Sequence, residues 1–397
     1  MKICFVSFEY PPIKTPQSNR WNKILQHLSQ DHCQIRVFNP PVNIANPFFD
    51  SLYKTNYEVE KFNQLSENVV GNSIISNKDK STFKLLKGFK DFLKKRLPFD
   101  KSFLWAIKNR NIVQDFIKKD YPDILLTSAP PFGSLVLGYL AKRKFGPRLT
   151  WVIDFGDPWS FASDKNLTYP ILKFVQFIEN RILEKCDAAI FTTKKTQVQY
   201  LKQLNKSNLK SIVIYQGADR NLDNNYNYDV TYDLVYTGTF YRDIREPFSL
   251  YEAAAQLNRN LIIAGNIDPY FKKIPNGHEG FIKFLGNLDQ NVVFKLQRSA
   301  KILVFIDNKS STQLPGKIFE YIASGRPLLC IGISNDSPLY EIDFQQYPIV
   351  FCQNSSASIV DAISQLENMC LLNSNYTLDV GWNDRADQAR KFFNELL

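Results

Sequence analysis

The stretch QLPGKIFEYIASGRPLLCIG, residues 313–332, predicts one short helix followed directly by a buried strand. Pro315 suits the first helical position because its missing N–H would have no intrahelical partner there, and Gly325 and Pro327 mark the helix stop. The apolar run at 327–331 has the length of a strand. A helix that feeds a buried strand is the repeating unit of a parallel α/β sheet.

The predicted helix, residues 315–324, carries a cation and a carboxylate on one face. Lys317 and Glu320 are three positions apart, whereas Ile318 and Ile322 share another face that can contact a core. A loop that leads into a helix is an anion site to which Lys317 adds charge, and Glu320 suits neutral donors of the same ligand, such as ribose hydroxyls. The alternative is a surface Lys–Glu pair of little energetic weight.

The same alternation of apolar runs and helical segments extends along the whole chain. In residues 1 to 215 the runs are KICFVSF, QIRVFN, DILLTS, RLTWVID, DAAIFTT and SIVIY. From residue 233 they are DLVYTGT, NLIIAGN, FIKFLG, KILVFID, PLLCIG and YPIVF. This order predicts two Rossmann-like, doubly wound α/β domains facing across a cleft, with ligands at the carboxyl ends of the strands.

The domain boundaries follow from composition. Residues 1–215 form the predicted N-terminal domain and residues 216–380 the C-terminal domain, which begins with a linker rich in Asn, Asp and Tyr at 216–233. Residues 381–397 predict a terminal helix that can pack back on the N-terminal domain.

Composition narrows the function classes. The chain has 49 basic and 39 acidic residues, a net charge of +10, which favours an anionic partner such as nucleic acid, a phosphorylated ligand or a membrane surface. Six separated cysteines without a CxxC motif predict reduced core residues and a cytoplasmic protein. Three scattered histidines argue against a metal site, and GxSxG and Walker motifs are absent from the sequence.

The segment 78–119 departs from the alternation. Its apolar residues Phe83, Leu86, Phe89, Leu93 and Leu97 recur at helical spacing, with lysines filling much of the remainder. This pattern predicts a basic amphipathic helix that contacts an anionic membrane through residues 83–110, as a peripheral attachment at the inner face of the cell membrane. The alternative is an ordinary surface helix packed on its own domain.

Four stretches in this order, SAPPFGS, VIDFGDPWS, YTGTFYRDIREP and PGKIFEYIASGRPLL, resemble bacterial family-four glycosyltransferases, which have the GT-B fold. The resemblance covers nearly the whole chain. It implies that the C-terminal half binds a nucleoside-diphosphate sugar and the N-terminal half an acceptor.

On the donor side, the resemblance implies that Glu320 holds the ribose hydroxyls, with Gly316 and Lys317 near the diphosphate. The loop from Gly238 carries Arg242 and Arg245, of which Arg245 is preferred as the cation that stabilises the diphosphate leaving group; the alternative is two exposed loop arginines. Relatives often have a carboxylate where this chain has Thr312, so Thr312 and Gln313 are expected to offer neutral hydrogen bonds.

On the acceptor side, the resemblance points to two loops. In EYPPIKTPQSNRW, Lys14 and its neighbours stand where relatives have glycines, and Asn19 opens the next helix. After the strand in VIDFGDPW, Asp154 and Asp157 are expected at the cleft edge, with Gly156 in place of an arginine common in relatives; Asp157 is the candidate base, or alternatively a turn residue. Ser128 is expected to shape the same side.

The activity implied is transfer of a sugar to an acceptor hydroxyl with retained configuration, without a metal or other cofactor. The acceptor would be a glycan or lipid-linked glycan, in bacterial surface polysaccharide synthesis. Three alternatives remain: a catalytically silent accessory protein at the membrane, a nucleotide-sugar epimerase, and a nucleic-acid binder. The last is disfavoured, because an aromatic and basic stripe occurs only in residues 83–110.

Overall fold

The structure, a computed structural model, divides the chain into two compact units. The first unit comprises Met1–Tyr215 and Arg385–Leu397, and the second comprises Gln216–Asp384. The described residues are 1–13, 15–40, 58–61, 101–161, 167–204, 208–219, 230–307, 314–344, 347–372 and 378–397. Lys14, Thr312, Gln313 and residues 83–100, which the sequence singled out, lie outside them.

The first unit alternates strands and helices. Its strands are β1 (Lys2–Val6), β2 (Gln34–Asn39), β3 (Glu58–Lys61), β4 (Ile124–Ala129), β5 (Thr150–Phe155), β6 (Ala188–Phe191) and β7 (Lys210–Val213). Its helices are α1 (Pro16–Gln30), α2 (Lys101–Asp120), α3 (Gly133–Phe145), α4 (Tyr169–Leu183) and α5 (Lys194–Leu204). Within the described residues all strand pairs of this sheet are parallel, in the order β3-β2-β1-β4-β5-β6-β7.

The second unit repeats this architecture. Its strands are β8 (Tyr232–Thr237), β9 (Leu261–Ala264), β10 (Ile282–Gly286), β11 (Ala300–Ile306), β12 (Leu328–Ile331) and β13 (Ile349–Cys352). Its helices are α6 (Phe248–Gln256), α7 (Gln290–Arg298), α8 (Lys317–Ala323) and α9 (Ser356–Leu372), and α10 (Trp382–Asn394) runs into the first unit from Arg385. The described strands form a parallel sheet in the order β10-β9-β8-β11-β12-β13.

Both sheets are doubly wound, as the sequence predicted. Strands such as β4, β6 and β12 are buried along their whole length, which explains their uninterrupted apolar sequences. In each sheet the strand order reverses once, between β1 and β4 and between β8 and β11. The carboxyl ends of the strands at such a switch point leave a crevice where α/β proteins bind ligands.

The helix of the opening stretch begins later than predicted. It starts at Lys317 rather than Pro315, because the N–H groups of Ile318 and Phe319 donate to the carbonyls of Pro315 and Gly316 in a tighter turn. Gly325 ends it with a φ of 72°, as predicted. Among the described residues, the helices are either too short or too polar to cross a membrane.

Candidate functional site

Two predicted cations of the second unit meet at the end of β8, beside the switch point. The Lys317 Nζ donates to the carbonyl of Thr237, the last residue of β8, at 2.6 Å. The Arg245 Nη1 lies 3.5 Å from the carbonyl of Thr239, and the guanidinium also contacts the Tyr236 hydroxyl. The structure therefore brings Lys317 and Arg245 to one loop, as the sequence predicted.

Arg245 is placed by a tight turn. Its N–H donates to the Tyr241 carbonyl at 2.8 Å and its carbonyl accepts from the Tyr241 N–H at 3.1 Å, so the chain folds back within five residues. The guanidinium lies 5.9 Å from the Tyr241 ring centroid. These contacts hold a half-buried arginine close to the end of β8.

Glu320 lies one helical turn from Lys317, and the two side chains share a largely desolvated environment. Burial raises the pKa of the Glu320 carboxyl, the Lys317 charge opposes this shift, and Asp219 adds to it. Burial lowers the pKa of the Lys317 ammonium, which Glu320 opposes and Arg245 reinforces. The charges of Lys317, Arg245, Glu320 and Asp219 thus influence the pKa values of Lys317 and Glu320. The sequence analysis did not identify Asp219.

A buried network fixes the end of β8 on which Lys317 rests. The Tyr321 hydroxyl accepts from the Thr237 N–H at 2.9 Å and donates to the Thr237 carbonyl at 3.0 Å, the same oxygen that Lys317 contacts. The Gln297 Nε2 donates to the Thr237 Oγ1 at 3.0 Å. Tyr321 therefore acts as a positioning residue for Lys317, and the sequence analysis did not single it out.

We expect Tyr321→Phe to lower affinity for a nucleoside diphosphate several-fold, because it leaves the buried Thr237 N–H without its partner and frees the carbonyl that anchors Lys317. Calorimetric titration with UDP measures this effect. Tyr251→Phe is the matched control: Tyr251 is also fully buried in the second unit, and its hydroxyl donates to the Phe271 carbonyl at 2.9 Å. Equal loss of affinity in both variants would remove Tyr321 from the site.

Glycines let the loops at this site approach closely. Gly265 follows β9 with a φ of 144°, and a Cβ there would lie 1.9 Å from the Gly238 carbonyl oxygen. A side chain at Gly265 would therefore displace the loop that follows β8. Among the described residues, a Cβ at Gly316 would meet the Gln216 side chain at 3.8 Å, which is an ordinary van der Waals contact.

Arg242 turns away from this cluster. Its side chain is 60% exposed, pairs with Asp268 at 3.6 Å and lies 4.3 Å from the centroid of the Tyr270 ring. Of the two loop arginines, Arg245 is the one that is held at the end of β8.

In the first unit the structure departs from the expectation for Asp154 and Ser128. Asp154 is fully buried: its Oδ1 pairs with the Arg20 Nη1 at 2.7 Å, and its Oδ2 accepts from the Trp21 Nε1 at 2.7 Å. The Ser128 hydroxyl is also fully buried and donates to the same Oδ2 at 3.0 Å. Neither side chain reaches the surface, because both take part in hydrogen bonds within the interior of the first unit, so the expected place of Asp154 at an exposed edge is not observed.

Gln17 explains the glycine in the DFGDPW stretch. Its Nε2 donates to the Asp154 Oδ2 and, at 2.7 Å, to the Ser128 Oγ. A Cβ at Gly156 would lie 2.3 Å from the Gln17 Oε1, so the Gln17 side chain fills the space beside residue 156. Gln17 and Arg20 are the residues here that sequence reasoning missed.

Asp157 and Asn19 keep exposed surface at the same end of the sheet. Asp157 is half-buried and Asn19 is exposed on the first turn of α1. Two hydrogen bonds to buried side chains hold the chain after Asp157. The Trp159 N–H donates to the Tyr200 hydroxyl at 2.9 Å, and the Ser160 N–H donates to the Glu179 Oε1 at 3.1 Å. Burial raises the pKa of the Glu179 carboxyl. Asp157 thus lies on a fixed loop, where it can contact a ligand.

The two doubly wound units define the GT-B fold. No family model matches the chain, and no curated protein matches its sequence. Solved structures do match. A sucrose-phosphate synthase from Thermosynechococcus elongatus is similar with a TM-score of 0.60 and 14% identity, covering 100% of this chain and 98% of that one.

Two further solved structures show the range of proteins that share this architecture. HepE from Anabaena, in complex with UDP and glucose, has a TM-score of 0.55 and 15% identity over 100% of this chain and 98% of its own. A UDP-GlcNAc 2-epimerase from Methanocaldococcus jannaschii has a TM-score of 0.56 and 13% identity over 100% of both chains. At these identities the likeness shows the fold, and function must be argued from the site.

Proposed function

We propose that this protein is a glycosyltransferase that moves a sugar from a nucleoside diphosphate to an acceptor hydroxyl, with retention of configuration. The observation that carries the proposal is the arrangement of Lys317, Arg245 and Glu320 at the end of β8, beside the switch point of the second sheet. That edge is where doubly wound sheets bind ligands, and two cations with one carboxylate match the groups of a nucleotide sugar.

Each side chain has a defined task in this proposal. Lys317 and Arg245 bind the diphosphate and stabilise the negative charge that grows on it as the bond to the sugar breaks. Glu320 accepts hydrogen bonds from the ribose hydroxyls. Gly316 and Gly238 let the backbone approach the phosphates, and Thr312 and Gln313 are proposed to contact the sugar. No metal or covalent sugar intermediate is part of the proposal, since positioning and charge stabilisation supply the catalysis.

The acceptor is proposed to bind the first unit near Asp157, with Asn19 and Lys14 on the same side. Asp157 would orient the acceptor hydroxyl or take its proton. A glycan or lipid-linked glycan of a bacterial surface polysaccharide is the proposed acceptor class, and the cytoplasmic face of the membrane the proposed location. The sucrose-phosphate synthase supports the choice of a sugar-transferring enzyme on this fold, and the UDP bound to HepE makes UDP the first nucleotide to test.

Calorimetric titration with UDP, GDP, ADP and TDP tests the donor site. We expect micromolar binding of one nucleotide, weakened at least tenfold by Glu320→Ala without a change in melting temperature. The bound nucleotide then selects the sugar donors for a transfer assay. Binding of none of the four would favour a silent accessory protein, whereas interconversion of the donor sugar without an acceptor would favour an epimerase.

The lowered pKa of Lys317 predicts how nucleotide binding depends on pH. Its ammonium loses the proton below the ordinary value of 10.5, so affinity for UDP should fall as pH rises through that lowered pKa. Lys317→Arg keeps its charge throughout this range and should retain affinity to higher pH. Titrations of both proteins between pH 7 and pH 10 measure the difference; identical profiles would assign the pH dependence to another group.

A further inference from the structure

Three helices of the first unit form an apolar groove on its surface. The groove has a volume of about 340 Å³ and lies between α2, α3 and α4, with Phe103, Val136, Leu140, Phe177 and Ile182 in its lining. Phe177 is 54% exposed. Large exposed apolar patches on folded proteins are typical of interaction sites.

Exposed apolar side chains continue from the groove along two helices. On α4, Tyr169 is 72% and Phe174 is 48% exposed, next to Phe177. On α2, Leu104 is 64% and Ile107 is 48% exposed. These residues recur every three to five positions, so each helix presents an apolar stripe to solvent.

Cations are interleaved with both stripes. On α4 the Lys173 Nζ lies 5.6 Å from the Tyr169 ring centroid, and the Arg181 Cζ lies 5.3 Å from that of Phe177. On α2, Lys101 and Lys108 flank Leu104 and are exposed. The three helices together carry ten Lys and Arg residues and three Asp and Glu residues; Lys142 and Glu179 are buried, and Arg181 also pairs with Glu184 at 3.6 Å. The face is therefore both apolar and positively charged.

The groove adjoins the loop proposed for the acceptor. The Phe103 ring, which lines the groove, packs against the Trp159 ring at 5.7 Å between centroids. Trp159 is two residues beyond Asp157, and its indole also stacks on Phe132 at 4.4 Å. Contacts between buried rings therefore connect the groove to the loop that carries the candidate base.

We propose that this face, formed by α2, α3 and α4, docks on an anionic lipid bilayer. Tyr169, Phe174 and Phe177 enter the boundary between headgroups and acyl chains, while Lys173 and Arg181 bind lipid phosphates. Aromatic and basic side chains on one helical stripe are the combination that such an interface binds. The membrane contact predicted for residues 83–110 shares residues 101–110 of α2 with this face, and residues 83–100 lie outside the described part of the chain. The inference is independent of the donor site.

Sedimentation with vesicles tests the docking. The full chain should bind vesicles of phosphatidylcholine mixed with phosphatidylglycerol and not vesicles of phosphatidylcholine alone, with binding reduced by salt. Lys173→Gln combined with Arg181→Gln should lower the partition coefficient about fivefold per charge. Phe174→Ser combined with Phe177→Ser should lower it at least tenfold, because two aromatic side chains no longer enter the bilayer.

Matched variants in the second unit test whether vesicle binding depends on this face or on the overall charge and hydrophobicity of the protein. Lys283→Gln with Lys295→Gln removes two exposed cations of the second unit. Val292→Ser with Tyr340→Ser removes two apolar side chains of that unit that are 46% and 53% exposed. Both controls should bind vesicles like the unmodified protein, and UDP affinity should be unchanged in all four double variants.

Three other outcomes of these experiments would overturn the proposal. A dimer that the phenylalanine variant dissociates, together with no vesicle binding, would make the face an interface between two copies. A lower melting temperature for that variant without vesicle binding would mean that the chain itself covers the groove. Vesicle binding equal in the variants and the unmodified protein would place the membrane contact elsewhere.

Discussion

Replacing Asp154 with alanine is expected to lower the free energy of unfolding by about 3–5 kcal/mol, the usual cost of leaving one partner of a buried ion pair unpaired. Arg20 and Asp154 both have fully buried side chains, and the guanidinium has no path to water in the folded first unit. Because whole domains are stable by only about 5–15 kcal/mol, this loss is large enough to unfold the unit near physiological temperature.

Thermal or urea unfolding measures the loss, and Asp187→Ala is the matched control. Asp187 also pairs with a cation in the first unit, Lys142 at 2.6 Å, but its side chain is 39% exposed. The Lys142 Nζ keeps its hydrogen bond to the Leu149 carbonyl at 2.6 Å, and the space of the removed carboxylate is open to water, so we expect a loss at least twofold smaller. Arg20→Met combined with Asp154→Ala should recover part of the stability, because the unpaired charge is then gone.

If Asp154 contacted an acceptor instead, its replacement would affect activity and not stability. Asp154→Ala would then keep its melting temperature and lose only transfer activity. The structure favours the structural role because four donors, from Gln17, Arg20, Trp21 and Ser128, converge on this one carboxylate. All four partners are side chains of the first unit, so this carboxylate is bound within the protein interior.

The orientation of the Asp154 side chain could not be predicted from the sequence. The apolar run in RLTWVID predicted β5 correctly, because a buried strand consists mostly of apolar residues and can be identified from its local composition. Whether the final aspartate points to solvent or inward depends on Arg20, which is 134 residues away in the chain. No local pattern carries that information, so a buried ion pair was interpreted as the edge of a site.

The residues proposed for the donor lie in short stretches of the sequence, so they could be singled out from local patterns. Lys317 and Glu320 are one turn apart on α8, and Gly238 and Arg245 follow a strand, so motif and spacing found them together. Tyr321 was missed, since its hydroxyl contacts Thr237 across 84 residues and its sequence position reads as an ordinary apolar face. Gly265 could have been identified from the sequence. It follows β9 just as Gly238 follows β8, and the loops that follow adjacent parallel strands lie side by side.

Arg245→Ala is expected to lower kcat by about 10²–10³-fold, the usual effect of removing one group that stabilises charge in a transition state. UDP affinity should change much less, because Lys317 still binds the diphosphate in the ground state, whereas the charge that Arg245 offsets grows as the bond to the sugar breaks. Steady-state kinetics with the donor identified by titration gives kcat, and calorimetry with UDP gives the affinity separately.

Arg242→Ala is the matched control, since it removes a guanidinium from the same loop that pairs with Asp268 and lies over Tyr270 instead of the end of β8. It should leave kcat within about threefold of the unmodified protein, while Arg245→Lys should recover part of the loss by restoring a charge without the forked geometry. Equal losses in Arg242→Ala and Arg245→Ala would mean that the loop closes over the donor and brings both arginines to the phosphates. A loss confined to UDP affinity in Arg245→Ala would make this arginine a binding group and leave Lys317 as the residue that stabilises the departing diphosphate.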